Sequence, residues 1–492
     1  MTEMKWRGAM KPFDHQRKEV TEHGADAGRA LFWEMGTGKT CPVIAEAVAL
    51  HEAGEIENLL VIAPNGVHRN WVTDEIPIHM PEEAQAKAKI LGWTGSYQSK
   101  WFGAAMNDLI KHKDGLRVLC MSYPGIMTKV GGRFARRFLD RGRTLYAADE
   151  SQFFKTPNAA RTKRVVASGK YAPFRRILSG TPITNSPFDI FTQLKFLDPS
   201  IWDDIGCGTF AAFKTYFGIW EVRQTRDKTR SWPALVSYRN LRQLKRIVAE
   251  HGSRLVKDDV LDLPPKLYSK RYFTLDPAVR RVYDEVKEDY IAFLDDGELV
   301  TAPLAIVRMI RMQQVTSGYV PSDRDGPGDV TRLSPTSGSR RVATLMDTLE
   351  EHRGRHSIVW AKYLQDIADI QKELKKAGIT FVTYVGATSE RERDEAKRRF
   401  QAGEVEVFLA NEAASTGITL HKATLEVFFN TTYRWDARKQ AEDRAHRIGQ
   451  EHPVLIVDIV AEDTIDEGIA DALRRKQRTS DFILGDDPRE WI

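Results

Sequence analysis

The apolar run Ala30 to Trp33 breaks into the glycine turn Glu34-Met35-Gly36-Thr37-Gly38-Lys39-Thr40 and then into a helical stretch through Ala45 to Ala53. Strand, glycine turn and helix in that order require an α/β unit, because a parallel neighbour for the strand is reached only through a crossover helix. Gly36 and Gly38 allow the backbone to aim its N–H groups at phosphate oxygens. Lys39 can reach the outer phosphates of a nucleotide, and the Thr40 hydroxyl can hold magnesium. The strict eight-residue pattern would place glycine where Trp33 stands, so this is a relaxed phosphate loop. An ordinary glycine-rich turn ahead of a helix is the competing interpretation.

A second apolar strand, from Thr144, ends in the adjacent carboxylates Asp149 and Glu150. Ligands of open parallel sheets gather at the carboxyl ends of strands. Asp149 is therefore the candidate magnesium ligand, and Glu150 the group that orients and deprotonates an attacking water. An Asp-Glu pair alone is more often a solvated turn. Near the other end of the chain, Gln440, Arg444 and Arg447 recur at helical spacings of four and three, with Ala441, Ala445 and Ile448 as a neighbouring apolar stripe. One helix would thus aim two guanidinium forks at a single target, an arrangement suited to charge developing in phosphoryl transfer. A solvated basic helix face is the plainer alternative.

Joined to further stretches in order, the chain resembles superfamily 2 helicase-like motors, and within them the sucrose-nonfermenting type of double-stranded DNA translocase. FDHQ, ending at Gln16, resembles the motif that reads adenine. The segments Val61 to Trp71, which includes Pro64, and Cys120 to Met127, which includes Ser122 and Tyr123, resemble the first-lobe motifs that touch the nucleic-acid backbone. Leu178 to Pro199 is similar to the coupling motif, and Arg254 to Lys266 to the segment joining two lobes. Val385 to Phe400 matches a second-lobe motif through Thr388, Arg393 and Phe400. Asn411 to Ala423, containing Thr416 and Gly417, resembles the motif that senses nucleotide and strand, and HRIGQ is a hallmark ending. Besides Trp33, two positions depart from the family pattern: Gln152 stands where His is usual, and Ala414-Ser415-Thr416 replaces a glycine-richer run. Gln152 still donates and accepts hydrogen bonds but cannot titrate, so altered coupling with retained hydrolysis is expected.

The resemblance implies two tandem RecA-like lobes of doubly wound parallel sheet, ATP and Mg2+ as cofactors, and ATP held by Gln16 and the Lys39 cradle on one side and completed by Arg444 and Arg447 on the other. Gln440 would help position water or the outer phosphate, while Thr416 and Gly417 would register nucleotide and strand. The expected division is a first lobe over residues 1–200, a linker with helical insertions over 201–339, and a second lobe over 340–492. First-lobe strands are expected near Leu31, Val61, Val118, Tyr146 and Ile177. Those of the second lobe are expected near Val359, Val382, Phe408, Val427 and Ile456.

The formal charge of +5 is concentrated rather than spread. Between Thr209 and Lys257, eleven Lys or Arg face three Asp or Glu. Arg242 and Lys245 in that segment are candidates for tracking the phosphate backbone of duplex DNA, with a solvated basic helix as the equal alternative. Three cysteines without zinc-ligand spacing argue for a reducing compartment. No signal-peptide core or membrane-length apolar run is found, so an intracellular protein without membrane attachment is expected. The leading functional expectation is DNA-stimulated ATP hydrolysis driving translocation. A strand-separating or fork-remodelling helicase on branched DNA or RNA, and a nucleotide-gated DNA clamp without turnover, are the alternatives.

Overall fold

A computed structural model describes residues 11–224, 231–295, 302–321, 330–333, 339–386, 388–411, 418–430, 432 and 434–484. Arg226, Lys228 and Arg230 of the basic segment, and both Thr416 and Gly417, lie outside the described residues. The chain forms two compact units, one comprising 1–219, 238–262 and 478–492, the other 220–237 and 263–477.

In the first unit, strands β1 (Gly28–Trp33), β2 (Asn58–Ala63), β3 (Lys89–Gly92), β4 (Arg117–Ser122), β5 (Thr144–Asp149) and β6 (Phe174–Leu178) alternate with helices. A ribbon of two strands, β7 (Gly218–Gln224) and β8 (Ser231–Tyr238), forms a separate small sheet whose residues 220–237 fall in the second unit, after which β9 (Gly252–Leu255) returns to the main sheet of the first. The resulting order is β3-β4-β2-β5-β6-β1-β9, and every pairing in it is parallel. All six residues of β2, β4 and β5 are buried, as expected of central strands covered on both faces. The edge strand β9 approaches β1 so closely that a Cβ on Gly252 would lie 2.7 Å from the Ala30 Cβ. Glycine is what permits that pairing.

The second unit repeats the architecture. Strands β10 (Lys266–Phe273), β13 (Ser357–Trp360), β14 (Phe381–Tyr384), β15 (Val407–Ala410), β16 (Leu425–Phe428) and β17 (Val454–Ala461) form a parallel sheet ordered β10-β17-β16-β13-β15-β14. A two-stranded antiparallel pair, β11 (Tyr319–Pro321) and β12 (Val330–Arg332), stands apart from it. Alternation along each strand splits the apolar side chains between two cores: Val359, Leu409 and Val427 pack on one side, Ile358, Phe408 and Phe428 on the other.

All ten expected strands are present, and β3, β9 and β10 extend the sheets beyond them. The stretch from 199 to 339 holds helices Phe210–Phe217, Leu241–His251, Pro277–Asp295 and Ala302–Thr316, together with the ribbon and the two edge strands β9 and β10. Cys41, Cys120 and Cys207 are buried free thiols. No helix among the described residues is long and apolar enough to cross a membrane.

Candidate active site

The glycine turn leaves the carboxyl end of β1 and enters the helix Thr40–Glu52, with Gly36 at φ 84° and Gly38 at φ 77°. At Gly38 the left-handed conformation is joined by crowding, since a Cβ there would lie 2.3 Å from Gln16 Nε2. Glu34 organises the turn. Its carbonyl accepts hydrogen bonds from the Thr37 hydroxyl (2.8 Å) and from Lys39 Nζ (3.0 Å). Its carboxylate accepts from the Lys257 N–H (3.0 Å) and pairs with Arg254 (3.6 Å). Gln16 is buried on the other side of the turn, donating to the Gly38 carbonyl (3.0 Å) and accepting from the Phe13 N–H (2.8 Å), while His15 contacts the Thr37 carbonyl (3.0 Å). Recognition of a base by Gln16 would require it to exchange these bonds. Trp33, where a strict loop has glycine, is the last residue of β1: it packs in the core and donates from Nε1 to Ser253 Oγ at 2.8 Å.

Asp149 ends β5, separated from β1 in the sheet only by β6, so the carboxylate and the glycine turn share the carboxyl edge of one sheet. Its Oδ2 accepts from Trp71 Nε1 (2.9 Å) and its Oδ1 from the Glu150 N–H (2.9 Å). Burial, followed by the negative charge of Glu150, pushes its carboxyl up to about 7, while the Trp71 hydrogen bond and the Lys39 charge oppose the rise. Glu150 itself adopts a left-handed backbone (φ 52°), uncommon for a residue with a side chain and concentrated at functional sites. A relay leads away from it: Gln152 Nε2 donates to Glu150 Oε2 (2.8 Å), the Ser179 hydroxyl donates to Gln152 Oε1 (2.7 Å), and the Thr181 N–H donates to Ser179 Oγ (3.1 Å). The carboxylate pair is thereby tied to the segment that resembles the coupling motif.

Thr40 and Asp149 offer the hard oxygens that magnesium prefers, and a buried carboxyl carrying so little charge compensation gains from a divalent cation. No group of three or more His, Cys, Asp or Glu among the described residues could hold a metal unaided, so magnesium here would share its coordination with phosphate oxygens and water. The bond of Trp71 to Asp149, and that of Lys257 to Glu34 of the glycine turn, are contributions that spacing alone does not reveal. Trp71 meets Asp149 across 78 positions and Glu34 meets Lys257 across 223.

The candidate nucleic-acid residues fall into two groups. Pro64 and Ser122 are buried at the ends of β2 and β4, and Ser122 caps the following turn by accepting from the Gly125 N–H at 3.0 Å. Tyr123 is wholly buried, donates to the Asp149 carbonyl at 2.8 Å and stacks on Phe153. Tyr123 therefore braces the carboxylate strand from within. Arg242 and Lys245 lie on the helix Leu241–His251, opposite its buried Leu244, Ile247 and Val248, with Arg242 exposed. Thr388 accepts from the Val385 N–H (3.1 Å) ahead of the capped helix Glu390–Gln401.

The arginine pair corrects one expectation. The helix Trp435–Glu442 carries Gln440, but it ends before Arg444, and residues 443–449 run in turns. The Arg444 N–H bonds to Ala441 at 3.0 Å, and the Arg444 carbonyl accepts from the Leu420 N–H at 2.9 Å, so the backbone leaves the helix to join the preceding segment. A common carbonyl brings the two guanidinium groups together instead: Arg444 (3.1 Å) and Arg447 (3.4 Å) both donate to Ile418. The Ile418 carbonyl thus anchors them immediately after the sequence that contains Gly417. A buried ion cluster holds this turn, with Arg438 pairing with Glu442 (2.7 Å) and Asp458, and Lys266 pairing with Asp443 (3.1 Å).

A model of the SNF2-related domain matches residues 20–317, and one of the helicase conserved C-terminal domain matches residues 340–449. Among similar curated proteins, "ATP-dependent helicase fft1" of Schizosaccharomyces pombe is 24% identical over 482 residues, covering 89% of this chain and 48% of that protein. "DNA annealing helicase and endonuclease ZRANB3" of Mus musculus is 25% identical over 478 residues, covering 93% of this chain and 40% of that protein. The chain therefore spans about half, or less, of the length of these relatives. Among solved structures, "Sulfolobus solfataricus SWI2/SNF2 ATPase core in complex with dsDNA" is similar at 21% identity and a TM-score of 0.41, covering 98% of this chain and 95% of that one.

Proposed function

The chain belongs to the SNF2-related family, and from that premise we propose that it hydrolyses ATP when engaged on double-stranded DNA and uses the reaction to move along the duplex, remodelling DNA or protein–DNA complexes. The observation that carries this reading is the shared sheet edge in the first unit, where the Lys39 turn and the Asp149–Glu150 pair stand on strands flanking β6. DNA as the track is supported by the basic helix bearing Arg242 and Lys245, and by relatives whose names describe helicases, one of them a DNA annealing helicase.

In this mechanism the N–H groups of Gly36 to Lys39 bind the phosphates, Lys39 exchanges the Glu34 carbonyl for a phosphate oxygen, and Gln16 contacts the base. Thr40 and Asp149 would hold magnesium, which would supply charge neutralisation at the outer phosphates. Glu150, positioned by Gln152, orients the water and takes its proton. Arg444 and Arg447 stabilise charge on the transferring phosphoryl group, Gln440 positions water or the outer phosphate, and Thr416 and Gly417 register the nucleotide. Backbone contacts supply grip without base preference.

Phosphate release measured with duplex, single-stranded and forked DNA and with RNA tests the proposal. Duplex DNA should stimulate turnover most, Lys39→Ala and Glu150→Gln should abolish it, and Glu150→Gln should still bind ATP. Robust hydrolysis by Glu150→Gln would overturn the assignment of the water-activating group.

A further inference from the structure

The amino-terminal edge of the second sheet, opposite the edge where parallel sheets usually place their ligands, borders an open cavity of about 820 Å³. Its walls come from segments that each lead into a strand: His352, Arg355 and His356 before β13, His421 and Lys422 before β16, and His452 before β17. Among the described residues, Glu451 is the only acidic group in the lining. Such a concentration of cations and imidazoles around a cavity has one chemical complement, a compact anion of high charge density.

The imidazoles are fixed in complementary states. His352 Nδ1 faces the Thr348 carbonyl (2.9 Å) and His356 Nδ1 faces the Val405 carbonyl (3.0 Å). A carbonyl only accepts, so each Nδ1 carries the hydrogen, and each Nε2 can donate only once the ring is protonated. His421 is the reverse: its Nδ1 accepts from Gln401 Nε2 (3.1 Å), which leaves the hydrogen on Nε2 in the neutral ring. Burial, then the charges of Arg447 and Lys422, disfavours a second proton on that ring, and Glu451 opposes them. Gly403 sits between two of the cationic walls, since a Cβ there would lie 3.4 Å from His356 Nε2 and 3.7 Å from Lys422 Cε. The lysine stem and the open nitrogen of His356 therefore border the same small space.

We propose that this cavity is a second phosphate-binding site, separate from the nucleotide cradle, in which Arg355 and Lys422 supply fixed charge and His421 an N–H donor, with His352 and His356 completing the walls. The phosphate could belong to a free pyrophosphate-like anion or to a nucleic-acid backbone, because both present the same tetrahedral oxygens. The site does not rest on the nucleotide cradle being catalytic.

Calorimetry with pyrophosphate on the Lys39→Ala chain, which silences the cradle, and duplex binding by the unaltered chain across a salt series separate the two sources. If the source is a free anion, pyrophosphate should bind this chain measurably. Adding Arg355→Glu and Lys422→Glu should then weaken binding by about tenfold or more while duplex affinity stays unchanged. If the source is a nucleic-acid backbone, the same two substitutions should instead lower duplex affinity and reduce the salt slope by about two. Both residues are exposed, so folding should survive, and an unchanged melting midpoint checks it. If pyrophosphate and duplex binding are both indifferent to the two charge reversals, no phosphate site exists here.

Discussion

Burial and the adjacent Glu150 push the Asp149 carboxyl up to about 7. Only the ionised form can ligate magnesium, so the metal must displace a proton whenever pH lies below that value. Affinity for the magnesium nucleotide should accordingly fall by about tenfold from pH 8 to pH 6, the sign following from a raised carboxyl whose neutral form prevails on the acid side. Calorimetry in buffers of different ionisation heat reads both the affinity and the released proton. Asp149→Asn should bind more weakly and with this pH dependence lost, whereas a pH-independent wild-type affinity would remove Asp149 as a ligand. Gln152 acts at the same scale. It bridges Glu150 and Ser179 as a neutral amide, so Gln152→Ala should leave nucleotide affinity near wild type and lower DNA-stimulated turnover by about tenfold, the effect of losing one hydrogen bond to a charged group. Gln152→His restores the usual family residue with a titratable ring. If neither basal nor stimulated hydrolysis changes in that variant, Gln152 has no coupling role.

The helix Leu241–His251 divides cleanly, with Leu244, Ile247 and Val248 buried and its cationic residues directed elsewhere. Reversing Arg242 and Lys245 to Glu should therefore spare the fold, weaken duplex binding at low salt, and flatten the salt dependence by about two counterions. Filter binding from low to moderate salt measures this, and unchanged affinity would leave the helix as a solvated face. Helices and strands differed in how readily the sequence disclosed them. Strands β2, β4 and β5 are apolar from end to end and mark themselves, because both faces are covered. The edge strands β9, Gly-Ser-Arg-Leu, and β10, Lys-Leu-Tyr-Ser-Lys-Arg-Tyr-Phe, carry polar side chains and are recognisable only by their partners β1 and β17. The spacing of Gln440, Arg444 and Arg447 suggested one helix. Long-range bonds to Leu420 and Ile418 end it at Glu442, a competition that local periodicity does not register. The cradle was legible because its chemistry is local, whereas Trp71 beneath Asp149 depends on the order of strands in the sheet.

At the scale of the molecule, each unit has its own parallel sheet and its own apolar cores, and the two matched family models fall over residues 20–317 and 340–449. Lys39, Asp149 and Glu150 belong to the first unit, Arg444 and Arg447 to the second, so the proposed hydrolysis needs residues from both. The output of such a motor depends on what it grips. Charge on the basic helix would, in the proposed function, address phosphates, which run unbroken along an intact duplex and carry no base information. A protein that holds the track in this way has no need to part the strands in order to advance. It should therefore displace the third strand of a triplex in an ATP-dependent manner while releasing little single strand from a fork of equal length. Paired gel assays on the two substrates measure the difference, with Lys39→Ala as the motor-dead control and the Arg242→Glu/Lys245→Glu chain expected to lose displacement as salt rises. Fork unwinding without triplex displacement would transfer the assignment to a strand-separating helicase, and ATP-dependent retention of DNA without either product would indicate a clamp.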